Sequence, residues 1–175
     1  MAVRNSDNVL IGGYRVFIVD GETKKELGWT SGEAKIEEQA SSITIKESEG
    51  GTVTTLATDK EVHLTFGLLE CNLDTLLLLN PSATAIEGGF AVGTFQSDKT
   101  FPVELWHKKR SGKYICGRIL KGKISGNITS FLINQDNASP ISIDIVGIAD
   151  ASKDTGKNIY EEIECEAADA PGGGW

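Results

Sequence analysis

The residues of this chain best suited to nucleophilic, acid–base or metal chemistry are two histidines, His63 and His107, and three cysteines, Cys71, Cys116 and Cys165. Protein zinc sites gather such ligands at short, regular spacings. A set of His63, Cys71, His107 and Cys116 can be drawn, but its spacing resembles no metal motif, so neither metal nor cofactor is expected. Each histidine falls in an alternating strand pattern, where a structural role is the ordinary reading. An odd number of widely spaced cysteines is not a disulfide framework. Buried, reduced thiols fit better, with one intersubunit bridge as the alternative if an assembly meets an oxidising exterior.

Carboxylates are plentiful: Glu33, Glu37, Glu38, Glu47, Glu49 and Asp144. Two of them could serve as the acid pair of a hydrolase. A solvated acidic face is the plainer reading. In a ring or tube such a face lines a passage and repels a polyanion, which then slides rather than sticks. The sequence has no G-x-S-x-G, P-loop, CxxC or HExxH pattern. Trp29, Trp106 and Trp175 are too scattered for a stacking groove. Trp175, after three glycines, reads as a terminal anchor or a free end. No catalytic constellation emerges, and the chain is not expected to be an enzyme.

The elements that must position these residues are almost all strands. At 175 residues, 39% hydrophobic and 24% charged, the chain suits one globular domain with a real core. No apolar run approaches the ~20 residues of a membrane span, and no membrane partner is expected. The opening residues lack the apolar stretch of a signal peptide, so folding in a cytoplasm is expected. The net charge of −8 is uneven. Residues 101–150 hold seven Lys/Arg against four Asp/Glu, and both flanking regions are acidic. An acidic chain is a poor phosphate-backbone binder. A basic stretch between acidic ones suits self-association, or simply a solvated strand.

Residues 1–13 read as an arm, 14–151 as the β domain and 152–175 as an extension. Tyr14–Asp20, Ser41–Ser48, Lys60–Phe66, Phe101–Lys108, Tyr114–Ile124 and Pro140–Ile148 alternate as strands do. Tyr160–Glu166 alternates acidic and apolar residues. Thr52–Thr58 is a strand or an extended loop, Phe90–Phe95 a short strand, and Ser125–Asn134 a continuation of strand. Ser82–Gly89 reads as a loop, and Lys25–Thr30 as a weak strand or bend. Gly117 and Gly122 suggest bulges or bends. The spacing predicts one helix, Leu73–Leu79, ended by Asn80-Pro81. Leucines surround it nearly all round, so it must be buried, on a sheet or a neighbouring subunit. Leu69, Leu73, Leu76 and Leu77 are its packing residues.

The order of elements resembles the tail tube proteins (major tail proteins) of long-tailed bacteriophages. Four segments carry the resemblance: LGWTSGEAKIEEQASSITIKES, EVHLTFGLLECNLDTLLLLNP, FPVELWHKKRSGKYICGRILKGKI and PISIDIVGIAD. They span most of residues 14–151. The resemblance implies a mainly β fold, a β-sandwich or half-barrel with one flanking α-helix. It implies that inner strands of six subunits join into a hexameric β-barrel and that rings stack into a hollow conduit. Such closure removes exposed sheet edges. The implied partners are further copies of the chain and other tail proteins: tape measure, terminator, baseplate or tip, and in contractile tails a sheath. DNA passes transiently. The implied location is the virion tail, assembled in the host cytoplasm.

Within that frame Ala34–Ser48 and Ser125–Ile148 become the inner hairpins, with Glu37, Glu47, Asp136 and Asp144 facing the lumen. Period-2 alternation then turns Ile43, Ile45, Ile143 and Ile145 to the core. Lys108, Lys109, Arg110, Glu161, Glu162 and Trp175 become the subunit contacts. A tail terminator or a secretion-system tube subunit shares these features. A β-sandwich binding or capsid decoration module is the alternative from another class.

Overall fold

A computed structural model describes residues 10–28, 30–46, 52–69, 73–80, 82–93, 99–125, 140–166 and 169–171. The fold is mainly β, with one short helix. In chain order the elements are β1 (Leu10–Asp20), β2 (Thr23–Glu26), β3 (Thr30–Lys46), β4 (Thr52–Leu68), α1 (Leu73–Leu79), β5 (Ala83–Ile86), β6 (Gly89–Val92), β7 (Phe101–Lys109), β8 (Tyr114–Ile124), β9 (Ile141–Gly147) and β10 (Tyr160–Cys165).

Eight strands form one antiparallel sheet in the order β2-β1-β7-β8-β9-β4-β3, with β10 also on β8. The sheet forks at β8. Its first half, Tyr114–Ile119, pairs with β10, and its last residues, Gly122–Ile124, pair with β9. The fork lets the β9-β4-β3 part fold over the β1-β7-β8 part. Val16, Ile18, Val103 and Ile119 from one side meet Val62, Leu64, Phe66, Ile143 and Ile145 from the other in a single core. Each such side chain taken from water contributes roughly 1.5–3 kcal/mol. The alternating burial of β4 and β9 is the period-2 pattern of strands with one face inward.

The two ends of the sheet approach without pairing. Tyr14 on β1 donates its hydroxyl to the Ser31 carbonyl of β3 at 3.1 Å, and the Thr30 hydroxyl donates to the Tyr14 carbonyl at 2.9 Å. β2 and β3 remain the sheet's terminal strands, so the sheet does not close into a barrel among the described residues.

Several expectations change at this level. Ala34–Lys46 and Thr52–Thr58 are parts of two 17-residue strands, β3 and β4, that pair from Thr30–Leu68 to Lys46–Thr52. The weak second strand is only Thr23–Glu26, and Ser82–Gly89 contains β5, the first strand of a small hairpin with β6. Gly117 sits in an unbroken register, and its missing Cβ makes room for the Ile36 side chain and Tyr160. The bulge in this strand pair falls instead between the Phe101–Gly122 and Val103–Ile119 partners.

The helix is not buried all round within the chain. Two turns give it one inward face, where Leu76 and Leu79 are buried and the Thr75 hydroxyl donates to the Leu27 carbonyl. Leu77 is half-buried, while Leu69 and Leu73 point outward, 39% and 52% exposed. Ile143 and Ile145 are buried as the alternation predicts. Ile43 and Ile45 fall where only the backbone of β3 is described. The N-terminal arm through residue 9, Cys71, most of Ser125–Asn134, Glu47, Asp136 and Trp175 lie outside the described residues.

Candidate functional site

The β3–β4 hairpin has two halves of different character. Val62–Leu68 is flanked by β3 on one side and β9 on the other. From Glu61 back to Thr52, β4 pairs only with β3 among the described residues. Thr is the commonest residue in this distal stretch, a β-branched type that suits a strand. At ~3.4 Å per residue it reaches roughly 30 Å beyond the β9 pairing. A lone two-stranded ribbon is marginal in water and leaves backbone donors and acceptors along its edges.

The face of β3-β4-β9 opposite the core carries a charged group. Glu37 and His63 are direct register partners, and Asp144 is the partner of Thr65, two residues along from His63. His63 Nδ1 lies 3.1 Å from Asp144 Oδ1, and His63 Nε2 lies 3.5 Å from Glu61 Oε2 without hydrogen-bond geometry. Lys35 pairs with Glu37 at 2.9 Å. Three carboxylates therefore share this face with Lys35 and, by alternation along β8, Lys123. Glu37 and Asp144 stand on one face of one sheet, although 107 positions separate them in the chain. No three His, Cys, Asp or Glu among the described residues are arranged to hold a metal ion.

The basic β7–β8 hairpin finds much of its partner charge inside the chain. β10 lies along β8 and presents acids to it. Lys109 pairs with Glu164 at 2.6 Å, Lys113 with Glu166 at 3.0 Å, and Arg118 with Glu161 at 3.7 Å. Lys109 and Glu161 are thus engaged within their own chain. Glu162 accepts a hydrogen bond from the Tyr160 hydroxyl, Lys108 Nζ lies 5.8 Å over the Tyr114 ring, and Arg110 is exposed at the hairpin turn.

Sequence reasoning missed the buried carboxylate of Glu104. It is 1% exposed, on the face of β7 away from the main core, beside Trp106, Phe17, Tyr114 and Cys116. Trp106 Nε1 donates to Oε2 at 2.7 Å and Arg118 Nε to Oε1 at 2.9 Å, while Lys24 Nζ lies 2.8 Å from Oε2. Burial pushes its pKa up, but these donors and the Arg118 charge outweigh that, and the carboxyl sits below its ordinary value. Burial holds the neighbouring Cys116 thiol up at about 12, and it packs in the second cluster as a neutral thiol. Trp106 next but one to Glu104 was the available signal; the cations that meet the carboxylate, Lys24 and Arg118, lie on β2 and β8.

The chain matches no protein-family model, and no curated protein is similar to it.

Proposed function

We propose that the chain is a structural subunit of a viral tail tube, of the kind built by long-tailed bacteriophages. Six copies form a ring, rings stack, and the hollow conduit carries the genome during ejection. The observation that supports this reading is the β3–β4 hairpin: a 17-residue pair whose distal half has no further strand partner among the described residues. In a ring, each such ribbon lies against the corresponding strands of its neighbours. Backbone hydrogen bonds then convert unpaired edges into a continuous barrel.

The same geometry supports a lumen assignment. The core takes one face of β3, β4 and β9, and in this reading the opposite face lines the passage. It carries Glu37, Glu61 and Asp144 beside His63. Like charge along the passage keeps a polyanion mobile. In this reading the chain acts with other tail proteins and is not an enzyme.

Negative-stain electron microscopy of the purified chain over a concentration series tests the proposal. Hollow rings or tubes with six-fold end views are the expected result. Monomers that persist at high concentration and in the presence of tail-initiating components overturn it.

A further inference from the structure

A cleft of about 420 Å³ opens between β3 and the facing surface of β7, β8 and β10. Its volume is that of a small-molecule site. Tyr14, His107 and Tyr160 line it, with Ile36 on the β3 side and the carboxylates of Glu33 and Glu162. It is separate from the β3-β4-β9 face described above.

The hydrogen-bonding inventory of this cleft is one-sided. The Tyr14 hydroxyl is already donated to the Ser31 carbonyl at 3.1 Å, and the Tyr160 hydroxyl to Glu162 Oε2 at 3.2 Å. The His107 ring donates to the Gly13 carbonyl, and its Nε2 is buried with no hydrogen-bond partner. Burial lowers the pKa of His107, which keeps the ring neutral near pH 7 and leaves Nε2 with a lone pair. The side-chain groups left over that a ligand can reach are acceptors: two carboxylates and two phenol oxygens. Among the described residues no lysine or arginine lines the cleft.

A phosphate or carboxylate ligand finds no free side-chain donor there and meets two negative charges. A cation rich in N–H donors meets the reverse. Tyrosine rings add a surface that attracts cations, and Ile36 suits an apolar stem. We propose that this cleft binds the ammonium or guanidinium end of a ligand carried on an alkyl stem. Two sources share that chemistry: a free alkylamine or guanidine, and a lysine or arginine side chain of a second copy of this chain. The inference stands apart from the tube reading.

The test is an NMR titration of the full chain, followed through the His107 and Tyr160 ring signals. The probes are n-butylammonium and ethylguanidinium, with 1-butanol as the neutral comparison. Saturable shifts with both cations are expected, about tenfold weaker with 1-butanol, and about tenfold weaker in Glu33→Gln/Glu162→Gln. Glu33→Gln alone leaves the Tyr160–Glu162 bond intact and is expected to weaken binding to a smaller degree. No saturable response to either cation, or an equal response to 1-butanol, overturns the proposal. Dilution without probe separates the sources. Shifts that track protein concentration and match those of the cations assign the site to a second copy. Signals constant with concentration, together with cation binding, assign it to a free small cation.

Discussion

The carbonyl oxygen of Ser31 lies 2.5 Å from the point where a Cβ on Gly67 would stand, and Pro140 Cβ lies 3.0 Å from it. Ser31 and Gly67 are register partners where β3 begins and β4 ends. A side chain there has to push backbone, which yields little in a packed interior. Gly67→Ala is therefore expected to destabilise the fold by about 1–3 kcal/mol. A urea melt checks this, with unchanged slope and a lower midpoint. Gly21→Ala makes a poor control because its φ is +61°, whereas Gly13→Ala meets no atom within 4 Å and is the better one.

Glu104 holds Lys24, Arg118 and Trp106 together under one buried carboxylate. Glu104→Leu leaves Lys24 and Arg118 without this carboxylate, although Arg118 keeps Glu161. Losing one member of a fully buried pair costs ~3–5 kcal/mol. Lys24 and Arg118 keep 29% and 34% of their side-chain surface, so water recovers part of that. About 2–4 kcal/mol is expected from chemical denaturation. Lys24→Met in the Glu104→Leu background should restore some of the loss, as non-additivity within a network requires.

Acid should weaken the fold in two steps. His107 has a pKa below the ordinary 6.5, because burial disfavours its charged form. Its stabilising contribution is full above 6.5, where folded and unfolded states are both neutral. It falls as pH drops, because the unfolded state takes up the proton first. Glu104 has a pKa below the ordinary 4.5, so its contribution is full above 4.5 and is lost as pH falls through its folded value. The expected observation is a melting temperature that declines from pH 7 to pH 5 and then more steeply below 4.5. His107→Gln should flatten the first decline and leave the second.

Removing residues 43–56 and joining Ser42 to Ala57, which are register partners, through an Asn-Gly turn shortens the hairpin without touching the β4–β9 pairing. The core lies in residues 62–68 of β4, so a monomer of nearly unchanged melting temperature is expected. Rings and tubes should be absent by electron microscopy and light scattering. Tubes formed by the shortened chain would remove the hairpin from the assembly argument.

Much of the local structure follows from the chain alone. Alternation in Phe101–Lys108, Tyr114–Ile124 and Pro140–Ile148 identifies strands because a pleated segment with one buried face needs period 2. Leu73–Leu79 is the single helix because Pro81 closes the apolar run that begins after Asn72. What alternation cannot supply is how much of each opposite face is also covered. β7 is buried on both faces near Glu104, where Val103 meets the main core and Trp106 a second cluster. That depends on Lys24, Arg118 and Ala170, which lie on other elements and have no local trace in the β7 sequence. The same holds for the charges. Lys109 and Glu164 are 55 positions apart, and only the antiparallel register of β10 on β8 brings them together. Composition determined that the chain is acidic, and alternation that it is rich in strands. The forked pairing of β8 decided which acids meet bases, which face a common surface beside His63, and which border an open cleft.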